Sequence, residues 1–384
     1  MSKYVYLDNA STTPLDERVL QKMMPYLTDI YGNANSLHGI GRLAVKGLDQ
    51  ARDQIAKIIN AEPSEIYFTS GGTEGDNWAL RGTATCRGNK NKIVISSIEH
   101  SAMLVACEEL EKQGVNIVKV KPQQNGIVNP LDFEKVIDDD TFLVCLMSAN
   151  NEIGTIQPIK EVCKIAKQKG ALFFTDAVQY VGAFDVDVKD LGVDMLSFSA
   201  HKFNGPKGVG CLYIKNGTKI ANLISGGHQE RAKRGGTSNV AGAVGMAEAL
   251  KLNRQTLLKD VEYVKSLRDR FISGVLSKIP FATLNGDSLN RLPSNANFTF
   301  KGVSGEALLF KLDIEGVCAS LGAACSAGAI DPSVVLTEIG LSNEDAKNSV
   351  RFTFSKYNTA EEVDYVIQTL ATITEKIKNA LGVV

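Results

Sequence analysis

The chain has 384 residues, of which 44% are hydrophobic and 22% charged, and its net charge is −1. That length exceeds one small core and predicts two packed lobes. The charge balance excludes a broadly basic nucleic-acid surface, and the longest central apolar run, Phe142 to Met147, is far too short to cross a membrane. An acid arrives at Asp8, too soon for a secretory signal, so a cytoplasmic location is expected. The cysteines are Cys86, Cys107, Cys145, Cys163, Cys211, Cys318 and Cys325. None forms a C-x-x-C pair, which argues against a disulfide framework and a structural zinc site. Most sit in apolar periodic segments and read as core thiols.

In chain order, Val5 to Leu7 reads as a short strand. Residues 15–27 read as a helix with Pro14 at its start and Pro25 near its end. After a polar loop, 31–36, an amphipathic helix is marked by Ile40, Leu43, Leu48, Ala51, Ile55 and Ile58. Gly39 to Ala44 imitates a dinucleotide fingerprint, but no strand precedes it and the match is discarded. From Glu65 to Ile214 the pattern alternates. Strand-like runs at 66–69, 93–96, 115–118, 142–146, 172–175 and 195–198 are mostly separated by helical segments such as 101–113 and 160–169. A further apolar run, 211–214, follows a glycine-rich turn. This pattern predicts an α/β fold with a mainly parallel sheet covered on both faces, which binds ligands beyond the C-terminal strand ends. Gly226, Gly227, Gly235 and Gly236 frame a loop closing this lobe. A helix at about 241–277 then leads to strands at 296–300 and 350–354 and helices around 304–312 and 360–380, an α+β pattern. The expected division is a large lobe, 15–255, and a smaller one made of 1–14 and 256–384.

Polar residues collect at the strand ends. Ser70-Gly71-Gly72-Thr73-Glu74 opens a helix after 66–69 and suits a phosphate; the alternative is an ordinary capped helix. His100 follows 93–96. Asn150, Asn151 and Glu152 follow 142–147. Asp176 and Gln179 follow 172–175. Ser199, His201 and Lys202 follow 195–198. Taken alone, Lys202 reads as a surface lysine beside a turn, and Lys207 competes with it. Together these ends supply a phosphate cradle, an aromatic plate, amides, a carboxylate and a lysine. Pyridoxal 5′-phosphate (PLP) requires such a set: a lysine for its aldehyde and an acid for its ring nitrogen.

Ser-Gly-Gly-Thr-Glu at 70–74, Asn-Asn-Glu-Ile-Gly at 150–154, Asp-Ala-Val-Gln at 176–179 and His-Lys-Phe-Asn-Gly-Pro-Lys-Gly at 201–208 resemble PLP enzymes of the class V aminotransferase fold. More narrowly, they resemble cysteine desulfurases of the NifS/IscS type. Tyr-Leu-Asp-Asn-Ala-Ser-Thr-Thr-Pro at 6–14 and Gly-Gly-Thr-Ser-Asn at 235–239 are similar to the same family, and the resemblance runs from about residue 4 to 370.

It implies fold type I, with a seven-stranded sheet and a smaller α+β domain. Lys202 would be the Schiff-base residue, Asp176 the partner of the ring nitrogen and His100 the stacking ring. Asn151 and Gln179 would contact the ring and its hydroxyl. Gly72, Thr73, Ser199 and His201 would hold the phosphate. Thr237 would reach the phosphate of a second subunit, implying a homodimer. Arg351 and Asn33 would hold the substrate carboxylate, a role that a planar guanidinium suits.

Cys325 lies among small residues in Ser320 to Ser333. It reads as a small buried cysteine on its own and, by resemblance, as the catalytic thiol. The implied reaction removes sulfur from L-cysteine, leaves alanine and places a persulfide on Cys325 for a sulfur-acceptor protein. That acceptor would be an iron–sulfur scaffold or a thiolation enzyme. The alternatives are a selenocysteine lyase, a class V aminotransferase, or a non-catalytic sulfur-transfer scaffold. Gly-Ala-Ala-Cys at 322–325 replaces the more usual Gly-Ser-Ala-Cys, and Lys356 stands where an arginine is frequent.

Overall fold

The computed structural model describes residues 4–321 and 332–381. Thirteen strands occur among the described residues: β1 (Val5–Tyr6), β2 (Ile66–Thr69), β3 (Lys92–Ser96), β4 (Asn116–Val120), β5 (Thr141–Cys145), β6 (Leu172–Asp176), β7 (Met195–Ser199), β8 (Gly210–Ile214), β9 (Ala282–Leu284), β10 (Asn295–Phe300), β11 (Val317–Cys318), β12 (Ser320–Leu321) and β13 (Ser349–Thr353). The central sheet has the seven-stranded order β2-β8-β7-β6-β5-β3-β4. Its pairings are parallel except at β8, which runs antiparallel to both β2 and β7.

Successive residues along these strands enter different cores. Val94, Val144, Phe173, Leu196 and Cys211 face one cluster. Ile95, Leu143, Phe174, Met195 and Leu212 face the other. A strand turns alternate side chains to opposite faces, and a sheet with helices on both sides needs apolar residues at every position. That is why β5, β7 and β8 are buried throughout.

A second sheet, β12-β13-β10-β9, packs around aromatic rings. Phe271 lies 4.9 Å from Phe352, 5.2 Å from Phe354 and 6.0 Å from Phe298, centroid to centroid. Val5 and Leu7 join this core from the N-terminus. The helix Val240–Lys278 serves both cores: its first part, Val240 to Leu250, packs in the first, and Val264, Leu267, Phe271 and Val275 pack in the aromatic one.

Two helices differ from their sequence pattern. The first spans Glu17–Thr28, starting where Asp16 caps it by accepting the Arg18 amide, and carries Pro25 inside it. The second spans Gly39–Ile58 and buries Gly41, Ala44, Gly47, Leu48, Ala51 and Ile55, while Leu43 is 51% exposed. Small residues set its buried face: a Cβ on Gly47 would lie 2.4 Å from the Tyr26 ring. Cys86 is exposed and Cys318 half-buried, so the core reading holds for Cys107, Cys145, Cys163 and Cys211.

Candidate active site

The connection after β3 runs outward to β4, and the one after β5 runs the other way to β6. The two diverge and leave a crevice at the C-terminal edge of the sheet, the position where such sheets take ligands. His100 stands after β3 and Asn151 after β5, on either side of that crevice. His100 also caps the helix Ser101–Lys112 through Nδ1, which accepts the Ala102 amide at 3.2 Å.

Asp176 ends β6 and is 5% exposed. The Val178 amide donates to its Oδ1 at 2.8 Å. Burial pushes its pKa up, against the pull of His100, that amide and Lys202. Two more carboxyl groups lie behind it. Asp76 accepts the Ser197 hydroxyl, and burial together with Asp176 holds its pKa well above the usual range. Glu99 accepts the Met147 amide at 2.8 Å and is pushed up to about 8, chiefly by burial. Three buried acids in one place make a setting that a positive charge stabilises. Sequence reading missed Asp76 and Glu99, because each looks like an ordinary helix or loop acid until the strands are assembled.

Lys202 leaves β7 in the short turn Ala200–Lys202. Its Nζ donates to the carbonyls of Ala10, at 2.5 Å, and Ser11, at 3.0 Å. Gln179 Nε2 donates to the same Ala10 carbonyl at 3.0 Å. His201 Nδ1 lies 3.1 Å from Thr12 Oγ1, and burial, then Lys202 and Lys207, lowers its pKa to about 4. One N-terminal strap thus touches three of the expected site residues. The sequence had shown it only as a matching motif.

The helix Gly72–Thr85 starts directly after β2, and its N-cap, Gly71, has no side chain to cap it. A Cβ on Gly71 would stand 3.7 Å from Ser199 Oγ, so the uncapped helix start and Ser199 face a common space. Thr73 is exposed there. Glu74 accepts the Ser70 amide at 2.8 Å and a two-toothed contact from Arg234 at 2.8 and 3.0 Å, which holds its pKa below the usual carboxylate range against burial. The residues fit PLP: open amides at a helix start for a phosphate, a buried carboxylate for a protonated ring nitrogen and an amine for an aldehyde.

Arg351 lies in β13 and is 2% exposed. Nη1 donates to the Asn151 carbonyl, and Nη2 to Asp8 Oδ1 and Ser11 Oγ, each at 2.9 Å. Arg351 therefore joins the small sheet to the strap and to the loop after β5. Asn33 and Thr237 are both exposed and hydrogen-bond to none of these residues. Cys325 lies outside the described residues. The chain on either side of it is anchored close by: Ser320 and Leu321 pair with Arg351 and Val350, and Ser333 Oγ donates to Glu152 Oε2 at 2.5 Å.

Residues 5–366 match the aminotransferase class-V family. The chain belongs to that family, whose cysteine desulfurases depend on PLP. Its relatives place it with those desulfurases. It is 46% identical to cysteine desulfurase IscS of Clostridium botulinum (strain Hall) over 379 residues, covering 98% of this chain and 96% of that protein. A solved NifS-like protein superposes with a TM-score of 0.92 at 38% identity, covering 97% of this chain and all of the other. SspA in complex with cysteine superposes with a TM-score of 0.81 at 32% identity, covering 92% of this chain and 100% of the other.

Proposed function

We propose that this chain removes sulfur from L-cysteine, with Lys202 as the Schiff-base residue and proton carrier and Cys325 as the sulfur acceptor. The carrying observation is the approach of Lys202, just past β7, to Asp176 at the end of the adjacent β6. PLP, when bound, supplies an aldehyde that condenses with amines and a protonated ring that withdraws electrons. Asp176 would keep a proton on the ring nitrogen. His100 would lie against the ring, and Asn151 and Gln179 would contact the ring and its hydroxyl. Gly72, Thr73, Ser199 and His201 would hold the phosphate, with Thr237 reaching across from a second subunit.

Arg351 and Asn33 bind the substrate carboxylate. The Lys202 amine moves protons between substrate carbons. The Cys325 thiolate attacks the substrate sulfur; the new S–S bond forms as the C–S bond breaks, and the electron pair stays with the carbon fragment. That fragment takes up a proton and leaves as alanine, and a persulfide remains on Cys325 for a sulfur-acceptor protein. The anchoring of both flanks of Cys325 beside Arg351 and Glu152 supports this role.

The division into lobes 15–255 and 1–14 with 256–384 accompanies this reading, and the long helix spanning two cores supports it. A cytoplasmic setting suits it as well, since a thiol relay requires a reducing compartment. Cys325→Ser protein should keep its bound cofactor and lose alanine release from cysteine. Normal alanine release from that variant would refute the assignment of Cys325. Lys202→Ala protein should show no borohydride-stable link between protein and cofactor.

A further inference from the structure

The Arg351 guanidinium is buried, yet its hydrogen bonds are uneven. Both of its Nη groups have acceptors, whereas Nε, also buried, has none. A guanidinium presents Nε–H and Nη2–H as a parallel edge that matches both oxygens of a carboxylate. Asp8 meets Nη2 with one oxygen only, Oδ1, which also accepts the Ser11 hydroxyl at 2.8 Å, and it leaves Nε unfilled. The Asp8 side chain is 20% exposed against 2% for Arg351, so the acid has a way out and the cation has none.

We propose that Asp8 is the resident counter-ion of Arg351, and that a substrate carboxylate binds by taking its place on the Nε/Nη2 edge. This rests on the reading of Arg351 as the carboxylate site. A buried guanidinium without an anion is strongly disfavoured, so Asp8 holds the charge balanced between turnovers. An incoming carboxylate fills the orphaned Nε–H and gains a second bond on Nη2. Two anions on one buried guanidinium repel, so Asp8 moves outward toward solvent. Asp8 is therefore a specificity-determining residue. It makes an uncharged ligand unable to displace it and taxes every carboxylate that does.

The test measures binding of L-alanine and of alaninamide, which lacks the negative charge, to the PLP-loaded enzyme by calorimetry. Asp8→Asn keeps an acceptor for Ser11 and Arg351 and removes the charge. It should tighten alanine binding by roughly three- to tenfold, the scale of one partly exposed ion pair, and leave alaninamide unchanged. Ser11→Ala removes a neutral acceptor from Nη2 and should leave the alanine-to-alaninamide ratio as it is. Unchanged or weaker alanine binding in Asp8→Asn, or an equal change in ratio in Ser11→Ala, overturns the proposal. Arg351→Gln separates the two ideas: it should collapse the ratio, and a wild-type ratio there means that Arg351 is not the carboxylate site.

Discussion

His201 shows how burial sets a single residue's chemistry. Its ring is held at about 4, below the ordinary histidine value of 6.5, by burial and by the charges of Lys202 and Lys207. It is neutral at physiological pH and offers one N–H and one acceptor rather than a charge. Between about pH 6.5 and 4 the unfolded chain binds a proton at this ring that the folded chain refuses. His201 therefore costs stability as pH falls through that window and costs nothing above it. Denaturant unfolding of cofactor-free protein at pH 7.5 and pH 5 should show a smaller loss for His201→Asn than for wild type. An equal loss in both would show that the ring is not held neutral by the fold. The surrounding solvent tempers the effect, since the ring is only partly buried.

The segment Gln229–Ala232 holds backbone strain. Glu230, Arg231 and Ala232 have φ of 44, 57 and 60°, three successive residues in the left-handed region without a glycine. Each costs about 1–2 kcal/mol. Buried contacts offset this. Glu230 takes Arg52 on both oxygens at 2.8 and 2.9 Å and the Phe68 amide at 3.0 Å. Arg231 donates to the Ile66 carbonyl at 2.7 Å and lies 4.2 Å over the Tyr67 ring. Arg52→Met should destabilise by about 3–5 kcal/mol, because it strands Glu230 as a buried charge. Adding Glu230→Gln should recover part of that loss. Urea unfolding of the two variants checks this, and equal stability of single and double variants would deny the coupling. The same turn leads into Gly235, Gly236 and Thr237, so its rigidity bears on where Thr237 is presented.

At the scale of the molecule, Thr237 is exposed and reaches none of the expected cofactor residues of its own chain. A role for it at the phosphate requires a second copy. Sedimentation should then show a dimer, and cofactor affinity should fall on dilution in step with dissociation. A monomer that binds PLP with concentration-independent affinity would leave Thr237 with no part in the site. The Arg351-bearing sheet is built on the Phe271 cluster, while Lys202 and Asp176 are built on the central sheet. The strap 8–13 touches both, through Asp8 on Arg351 and through the Ala10 and Ser11 carbonyls on Lys202. Substrate binding and amine position therefore share one short piece of backbone.

Much of the chemistry was legible in the amino-acid sequence. Short, nearly continuous apolar runs alternating with helical segments point to a mainly parallel sheet covered on both faces, and such a sheet gathers its strand-end residues on one edge. That placed His100, Asp176, Ser199 and Lys202 together without coordinates, since each stands a fixed, short distance along the chain from its strand. Tertiary structure alone decided the rest. Arg351 pairs with Asp8 across 343 residues, and Lys202 rests on Ala10 across 192. No periodicity encodes contacts so distant in sequence. The three buried acids, Asp76, Glu99 and Asp176, likewise acquire their raised pKa values chiefly from the water that folding excludes, and Asp76 and Glu99 also from the neighbouring carboxylates that folding brings close. Sequence alone determined that His100, Asp176, Ser199 and Lys202 stand at strand ends; packing decided what each one holds and which buried acids lie behind them, because only the folded chain brings distant segments together and excludes water from them.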